Sequence, residues 1–332
     1  MEKTKVIISG CAGLIGSHMA EYFVSKGYDV YGIDNLSGGY PENIPEGITF
    51  FSNDLGDKRA IGRLFKKIKP DYVYHFAAYA AEGLSPFIRN FNYSNNLLCS
   101  ANIINECIKN DVKKIIFTSS MAVYGEGEPP FREIDIPHPI DPYGISKYAV
   151  ELDLEAAKTQ FGLDYSIVRP HNVIGIRQNI WDKYRNVMGI WIRRVMKGES
   201  VCIFGDGLQE RAFSDIKFCL EPFEKLMTMG NGEIFNLGCT KQYALNEVAE
   251  IVIKVGKEFG FNGVIEHLEQ RLGEAKFAYS NHDKAEQLLG FKDETNLEGT
   301  IREMFKWAMK QPDREVKKMS YELDKGMYNY WK

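Results

Sequence analysis

Gly10-Cys11-Ala12-Gly13-Leu14-Ile15-Gly16 stands between a β-branched run, Lys5–Ser9, and a segment apolar at helical spacing, Leu14–Lys26. Glycines spaced Gly-x-x-Gly-x-x-Gly mark any tight turn and alone say little. Placed after a strand and opening a helix, they let a pyrophosphate approach the backbone N–H groups at the helix N-terminus. The next strand-like run, Asp29–Ile33, leads into Asp34, eighteen residues after Gly16. A carboxylate there accepts hydrogen bonds from both hydroxyls of a ribose and repels a 2′-phosphate. Turn and carboxylate together predict a nicotinamide dinucleotide site, with NAD preferred over NADP.

Outward from this turn the first half keeps alternating. Asp57–Ile68 reads as a helix, with Asp at its start and Lys in its last turn as the helix dipole favours. Tyr72–Phe76 is a strand, Asn95–Ile108 a helix, Lys113–Thr118 a strand, Tyr143–Phe161 a long helix and Tyr165–Val168 a strand. Strands separated by helices pair in parallel through right-handed crossovers, which predicts a doubly wound α/β sheet covered on both faces. Between Glu126 and Pro142 lie five of the twelve prolines, so this stretch is an ordered loop, and one arriving at the strands' carboxyl ends belongs to a site. After Arg169 the regularity falls away. Helices are expected at Val187–Lys197, Ile216–Met229, Leu245–Phe259 and Leu297–Met309, with short strands at Val201–Phe204, Glu233–Leu237 and Val264–His267. The division predicted is an NAD-binding domain over 1–169, with 216–243 returning to it, and a smaller mixed α/β lobe over 170–215 and 244–332. From Arg314 onward the chain carries three tyrosines and a tryptophan, a segment expected to pack on the body.

Composition narrows the function classes. The chain has 332 residues, 44% hydrophobic and 26% charged, which is ample for a self-sufficient core. Its net charge of −4 argues against nucleic acid as a partner. The apolar stretch Val6–Gly16 is too short to span a bilayer, and the opening Met-Glu-Lys-Thr-Lys runs straight into a strand, so no signal peptide, no membrane association and a cytoplasmic location are expected. Six cysteines (Cys11, Cys99, Cys107, Cys202, Cys219, Cys239) show no CxxC spacing and read as reduced, buried thiols. The six histidines show no HxxxH pair, and no metal site is expected.

Tyr143-Gly-Ile-Ser-Lys147 opens the long helix downstream of Thr118-Ser119-Ser120. Residues four apart share a helix face, so the Lys147 ammonium can approach the Tyr143 phenol and is expected to lower its pKa from about 10. The Ser120 hydroxyl ends the strand that would run beside the nicotinamide. Glycine spacing and this trio resemble the short-chain dehydrogenase/reductase superfamily. Further landmarks resemble its extended branch, the NAD-dependent epimerase/dehydratase family acting on nucleotide sugars, and the UDP-glucose 4-epimerases within it. They are Asp34-Asn35-Leu36-Ser37, Asp54-Leu55, His75-Phe76-Ala77-Ala78, Asn96 opening a helix, Ser119-Ser120-Met121-Ala122-Val123-Tyr124-Gly125 and Arg169-Pro170-His171-Asn172-Val173-Ile174-Gly175. The resemblance implies catalysis by Ser120, Tyr143 and Lys147. It implies cofactor contacts at Gly10, Gly13, Leu14, Ile15 and Gly16, at Asp34, Asn35 and Ser37 on the adenosine ribose, and at Asp54 and Leu55 on the adenine. Phe76, Ala77 and Ala78 would follow along the pyrophosphate and nicotinamide ribose, with Asn96, Ser119, Tyr143, Lys147 and His171. Ser120, Tyr143, Asn172, Arg211, Arg271 and Ala278 would bind substrate. The two arginines suit a diphosphate, whose oxygens match the guanidinium fork.

Reaction type follows by exclusion within that resemblance. Related dehydratases carry an Asp-Glu pair after the catalytic hydroxyl and related decarboxylases a Glu; Met121 and Ala122 stand there instead, and neither transfers a proton. What remains is reversible oxidation at sugar carbon 4 of a UDP-hexose through a 4-keto intermediate, with NAD retained. A lysine that touches NAD in the family is replaced by Ala80. Ala278 aligns with a gate residue beneath the sugar, where a small side chain leaves room for N-acetyl groups; a one-residue shift onto Tyr279 would reverse that reading. A uronic acid 4-epimerase, a keto-sugar reductase and a non-catalytic dinucleotide sensor stay open as alternatives, and the family implies a homodimer through Asn95–Ile108 and Tyr143–Phe161.

Overall fold

The computed structural model describes residues 3–271, 276–316 and 318–331. In chain order the first half runs β1 (Lys5–Ser9), α1 (Leu14–Ser25), β2 (Asp29–Asp34), β3 (Thr49–Ser52), α2 (Lys58–Ile68), β4 (Tyr72–His75), α3 (Arg89–Tyr93), α4 (Cys99–Lys109), β5 (Lys114–Thr118), α5 (Pro142–Phe161) and β6 (Asp164–Pro170). The second half adds β7 (Asn172–Ile174), α6 (Val187–Met196), β8 (Val201–Phe204), β9 (Glu210–Asp215), α7 (Leu220–Lys225), β10 (Glu233–Leu237), β11 (Gln242–Ala244), α8 (Leu245–Glu258), β12 (Ile265–Leu268), β13 (Phe277–Ala278), α9 (Asp283–Leu289) and α10 (Leu297–Ala308).

Among the described residues seven strands form one parallel sheet in the order β10-β6-β5-β4-β1-β2-β3. Every residue of β5 is buried, as a central strand covered on both faces requires. Met19, Ala20 and Phe23 of α1 pack on one face with Phe223 and Leu226, while Phe65 of α2, Ile103 of α4 and Val150 and Leu154 of α5 cover the other. The chain leaves β1 toward β2 and β3 on one side and returns through β4, β5 and β6 on the other. Between β1 and β4 the connections therefore diverge, opening a crevice at the strands' carboxyl ends. The predicted doubly wound sheet is the fold observed.

The second lobe is built around Trp191, Ile192, Val248, Val252, Ile301 and Phe305 of α6, α8 and α10. Strand β9 pairs with β7, β11 and β13, and β8 with β12. Strand β10 joins the main sheet beside β6. Ala285, Leu289 and Phe291, on and after α9, also pack in the core beneath the main sheet, although the sequence places 244–332 in the second lobe. The segment after Arg314 packs as expected, its Met327 and Trp331 buried against Leu84, Phe87 and Tyr184.

Two helices differ from their expected form. The helix expected at Asn95–Ile108 is helical from Arg89 and contains a wide π-turn over Ser94–Leu98 before α4. Asn and Ser side chains there compete with the backbone for hydrogen bonds, which blurs the helical signal. Asn96 thus lies within a helix and does not open one. The helix expected at Ile216–Met229 is a 3-10 turn, Ile216–Phe218, followed by the six-residue α7. Pro222 has no N–H to give to the carbonyl of Phe218, so one continuous helix through that point loses a rung.

Candidate active site

The turn Gly10–Gly16 is glycine-dependent for identifiable reasons. Gly10 has φ +75°, and a Cβ on it would sit 2.8 Å from Ala77 N; a Cβ on Gly16 would sit 2.2 Å from Gly10 O. Gly13 is the N-cap of α1 with no side chain over the helix end, so the N–H groups of its first turn stay open to the cleft that Gly10, Gly13, Leu14, Ile15 and Gly16 line. At the end of β2, Asp34 accepts from Ala12 N–H (3.0 Å) and Leu36 N–H (2.7 Å), which fixes its carboxylate on the cleft wall. Burial holds its pKa above the usual carboxylate range, while those two N–H groups and the Arg185 guanidinium pull it back. Asn35 donates to Asp54 (2.9 Å), which also accepts from Gly56 N–H, so the two residues expected around the adenosine form one hydrogen-bonded rim with Ser37 and Leu55 beside it. Phe76, Ala77 and Ala78 continue the wall after β4, and Ala80 also faces the cleft. Behind them His75 is bonded to Ser9 (2.6 Å) and Ser100 (2.8 Å), and burial lowers its pKa to about 3, so it is a neutral strut.

Asn96 departs from its expected place. Among the described residues it is not part of the cleft wall; it is buried, accepting from Tyr79 N–H (2.7 Å) and donating to Tyr79 O (3.1 Å) and Asn92. Its amide is used up holding the wall from behind, and the π-turn aims it there.

Ser120, Tyr143 and Lys147 converge. Asp141 caps α5 by accepting from Tyr143 N–H (2.8 Å) and Gly144 N–H (3.0 Å), setting Tyr143 in the first turn and Lys147 one turn later. The Ser120 hydroxyl accepts from Ala122 N–H at 3.1 Å and acts on the Tyr143 phenol closely enough to pull its pKa down. Lys147 Nζ donates to Thr118 O (2.7 Å) and lies 5.9 Å from the centre of the Tyr143 ring. The expected lowering of the phenol pKa is not what the protein alone gives. Burial pushes Tyr143 well above its ordinary value, helped by Glu82 and Asp141, against a downward pull from Ser120 and Arg185. Burial also brings Lys147 down to about 7, while Glu151 pulls it back up. Four-residue spacing brings the ammonium near the ring but carries no account of the cost of desolvating the two groups.

A buried network supports the lysine. Arg169 donates to both oxygens of Glu151 (3.0 and 2.5 Å), and Ser119 Oγ donates to the same carboxylate at 2.5 Å. The Arg169 guanidinium lies 4.7 Å from the Tyr124 ring centre. Met121 and Ala122 line the cleft beside this cluster.

Across the cleft stand the residues of the second lobe. Asn172 donates to Ala212 O (3.1 Å), and Arg211 to Glu210 O (2.8 Å) and Lys276 O (3.3 Å). Arg271 lies with its guanidinium carbon 3.8 Å from the Phe204 ring centre. All three line the cleft, as does Ala278, held by the pairing of β13 with β9; Tyr279 is not among the described residues of the wall. His171 also lines it, its Nε2 accepting from Ser280 N–H (2.8 Å) and bonded to Ser280 Oγ, and burial lowers its pKa to about 3.

Residues that sequence reasoning missed also face the cleft. Arg185 donates to Asp182 (2.9 Å) and to Gly38 O (3.3 Å), with its guanidinium 4.4 Å from the Tyr79 ring centre. It belongs to an irregular stretch with no periodicity to mark it. Lys325, Tyr328 and Tyr330 enter the wall from the far end of the chain, where their aromatic density was the available signal.

The cleft encloses about 770 Å³, within the usual range for small-molecule sites. The glycine cradle, the open N–H groups at the start of α1 and the oriented Asp34 fit a dinucleotide. Among the described residues no cluster of three His, Cys, Asp or Glu side chains could hold a metal ion, and no helix is long and apolar enough to cross a membrane. All six cysteines are buried, unpaired thiols.

Residues 6–238 match the NAD dependent epimerase/dehydratase family. A protein of Methanocaldococcus jannaschii described as a putative UDP-glucose 4-epimerase is 34% identical over 315 residues, 93% of this chain and 99% of its own. Among solved structures, the Thermotoga maritima UDP-glucose 4-epimerase with UDP-glucose superimposes with a TM-score of 0.86 at 31% identity, over 92% of this chain and 99% of that one. The UDP-N-acetylglucosamine 4-epimerase of Methanobrevibacter ruminantium, in complex with UDP-N-acetylmuramic acid, gives 0.84 at 31% identity, over 93% of this chain and 99% of that one.

Proposed function

The chain belongs to the NAD-dependent epimerase/dehydratase family, and from that membership we propose that it interconverts UDP-hexoses at carbon 4 with NAD retained between turnovers. One observation carries the reading. Tyr143 and Lys147 line one cleft together with the glycine turn Gly10–Gly16 and with Asn172, Arg211 and Arg271; Ser120 is not among the described residues of the wall but acts on Tyr143 from just behind it, and its neighbours Met121 and Ala122, which do line the cleft, carry no acid or base. Bound NAD supplies the acceptor, and then the donor, for the hydrogen of carbon 4. Tyr143 moves the proton of the O4 hydroxyl, with Ser120 hydrogen-bonded to both oxygens in turn. Lys147, titrating about 7, provides the positive charge that offsets a phenolate near neutral pH. Arg211 and Arg271 grip the diphosphate, so that the oxidised sugar can turn about that tether and present its other face. Asp34 and Asn35 hold the adenosine ribose, Asp54 and Leu55 the adenine, and the turn Gly10–Gly16 the pyrophosphate.

Ala278 contributes a methyl group where a larger side chain would fill the sugar end of the cleft, which supports acceptance of UDP-N-acetylhexosamines beside UDP-glucose and UDP-galactose. A homodimer through the outer faces of α4 and α5 is part of the same proposal. Leu98 at the end of the π-turn leading into α4, and Ile145 and Leu152 of α5, are 58%, 41% and 49% exposed, apolar surface suited to a second copy of these helices.

The test is an NMR assay of purified protein with UDP-galactose and with UDP-N-acetylgalactosamine, no NAD added, and Tyr143→Phe in parallel. Conversion of both sugars to their gluco epimers, with turnover lost and NAD retained in the variant, is the expected result. Conversion of UDP-galactose alone overturns the Ala278 reading. Undiminished turnover in the variant overturns the mechanism.

A further inference from the structure

Arg271 reaches the cleft from a segment that offers little secondary structure to hold it, yet its guanidinium is fixed by two rings. It sits in the corner between Phe204, 3.8 Å from the ring centre, and Trp331, 5.0 Å from the ring centre, the rings themselves being 6.2 Å apart. Trp331 is 1% exposed. Its backbone carbonyl accepts from Tyr321 OH (2.6 Å) and Lys183 Nζ (3.1 Å), and its indole packs edge-on against Phe87, Tyr184 and Tyr328. Gly83 makes room for this corner: a Cβ there would lie 3.1 Å from Arg271 Nη1 and 3.5 Å from Trp331 Cη2. The same segment sends Lys325, Tyr328 and Tyr330 into the cleft wall.

We infer that residues 319–331 are a working part of the substrate site, with Trp331 and Phe204 as positioning residues that hold Arg271 for the diphosphate of a nucleotide sugar. The inference rests on the nucleotide-sugar reading given above. Its physical basis is the shape of guanidinium. Two aromatic rings set at an angle around the guanidinium attract the cation and restrict its rotamers, leaving N–H groups on its remaining sides to donate to phosphate oxygens. A long arginine ordered beforehand loses less freedom on binding, so the aromatic corner strengthens diphosphate binding without touching the reacting atoms.

The experiment measures UDP binding by calorimetry and UDP-galactose kinetics for the wild type, Trp331→Ala, Trp331→Phe, Arg271→Ala and the double variant Trp331→Ala/Arg271→Ala. Trp331→Ala is expected to weaken UDP binding and raise KM about tenfold, with a much smaller change in kcat and bound NAD retained. Trp331→Phe, which keeps a ring, is expected to restore most of the loss. The double variant should bind UDP no more weakly than Arg271→Ala alone, because Trp331 acts through that side chain. Should Trp331→Ala not fold, Phe204→Leu carries the same expectation from the other ring. Absence of UDP binding in the wild type would refute the nucleotide-sugar reading. UDP binding equal in wild type and Trp331→Ala, or additive losses in the double variant, would overturn the inference itself.

Discussion

Replacing Glu151 by Gln tests the support behind Lys147, the lysine proposed to act in catalysis. Glu151 and Arg169 are both buried, joined by two hydrogen bonds, and Ser119 donates to the same carboxylate. Removing one charge of such a pair leaves the other uncompensated and costs about 3–5 kcal/mol. With an unfolding entropy of about 2.1 cal/mol/K per residue, a chain of 332 residues unfolding as a unit loses about 1.4 °C of Tm per kcal/mol. The expected drop is therefore about 4–7 °C, read by calorimetry or circular dichroism at pH 7.5. Glu151→Gln/Arg169→Met, which removes both charges, should recover at least half of that, since a buried pair replaced by neutral groups is often near break-even. Glu151 also pulls the Lys147 pKa up against burial, so the single variant should lose charge on Lys147 at lower pH. On the proposed mechanism, the high-pH limb of kcat shifts downward. A Tm change under about 1 °C, or a double variant showing the sum of the single losses, would refute the reasoning.

Two further outcomes follow from the charges. Burial puts Lys147 at about 7 and Lys114 at about 8, against about 10.4 unfolded, so between pH 7 and 8.5 the unfolded chain binds more protons and stability rises with pH, by up to about 1.4 kcal/mol per unit for each fully displaced lysine. Above that window the buried thiols of Cys11, Cys107 and Cys219, whose pKa values are raised, act in the opposite direction. Urea titrations across that window should show a shallower rise in Lys147→Met; equal slopes would refute the assignment. Arg185 acts electrostatically on both Asp34 and Tyr143, so Arg185→Gln is expected to weaken NAD retention about 10- to 100-fold, the worth of a charge-assisted hydrogen bond. Protein that purifies with an undiminished complement of NAD would contradict that placement.

Local chemistry made much of this protein legible from its residues. The turn Gly10–Gly16 and the Asp34 behind it, the alternation of β-branched runs with helical spacing, and the four-residue step from Tyr143 to Lys147 are each set within a few residues. Each survived folding unchanged in kind. Asn96, the α7 segment and the second-lobe wall did not read that way. The amide of Asn96 faces Tyr79 because a π-turn rotates it, and Pro222 breaks a helix whose apolar spacing runs on past it.

Arg185 and Trp331 are ordinary residues until the second lobe folds across the first. The charge state of Tyr143 and Lys147 is likewise invisible in the sequence. Spacing brings a cation to a phenol, but the sign of the shift depends on how much water the tertiary structure removes, and here burial outweighs the attraction. The sequence by itself determined the sheet, the glycine turn and the pairing of Tyr143 with Lys147 on one helix face, because backbone geometry and short-range spacing decide those. Only the tertiary structure decided what surrounds them, because burial and cross-lobe contact are properties of residues far apart in the chain.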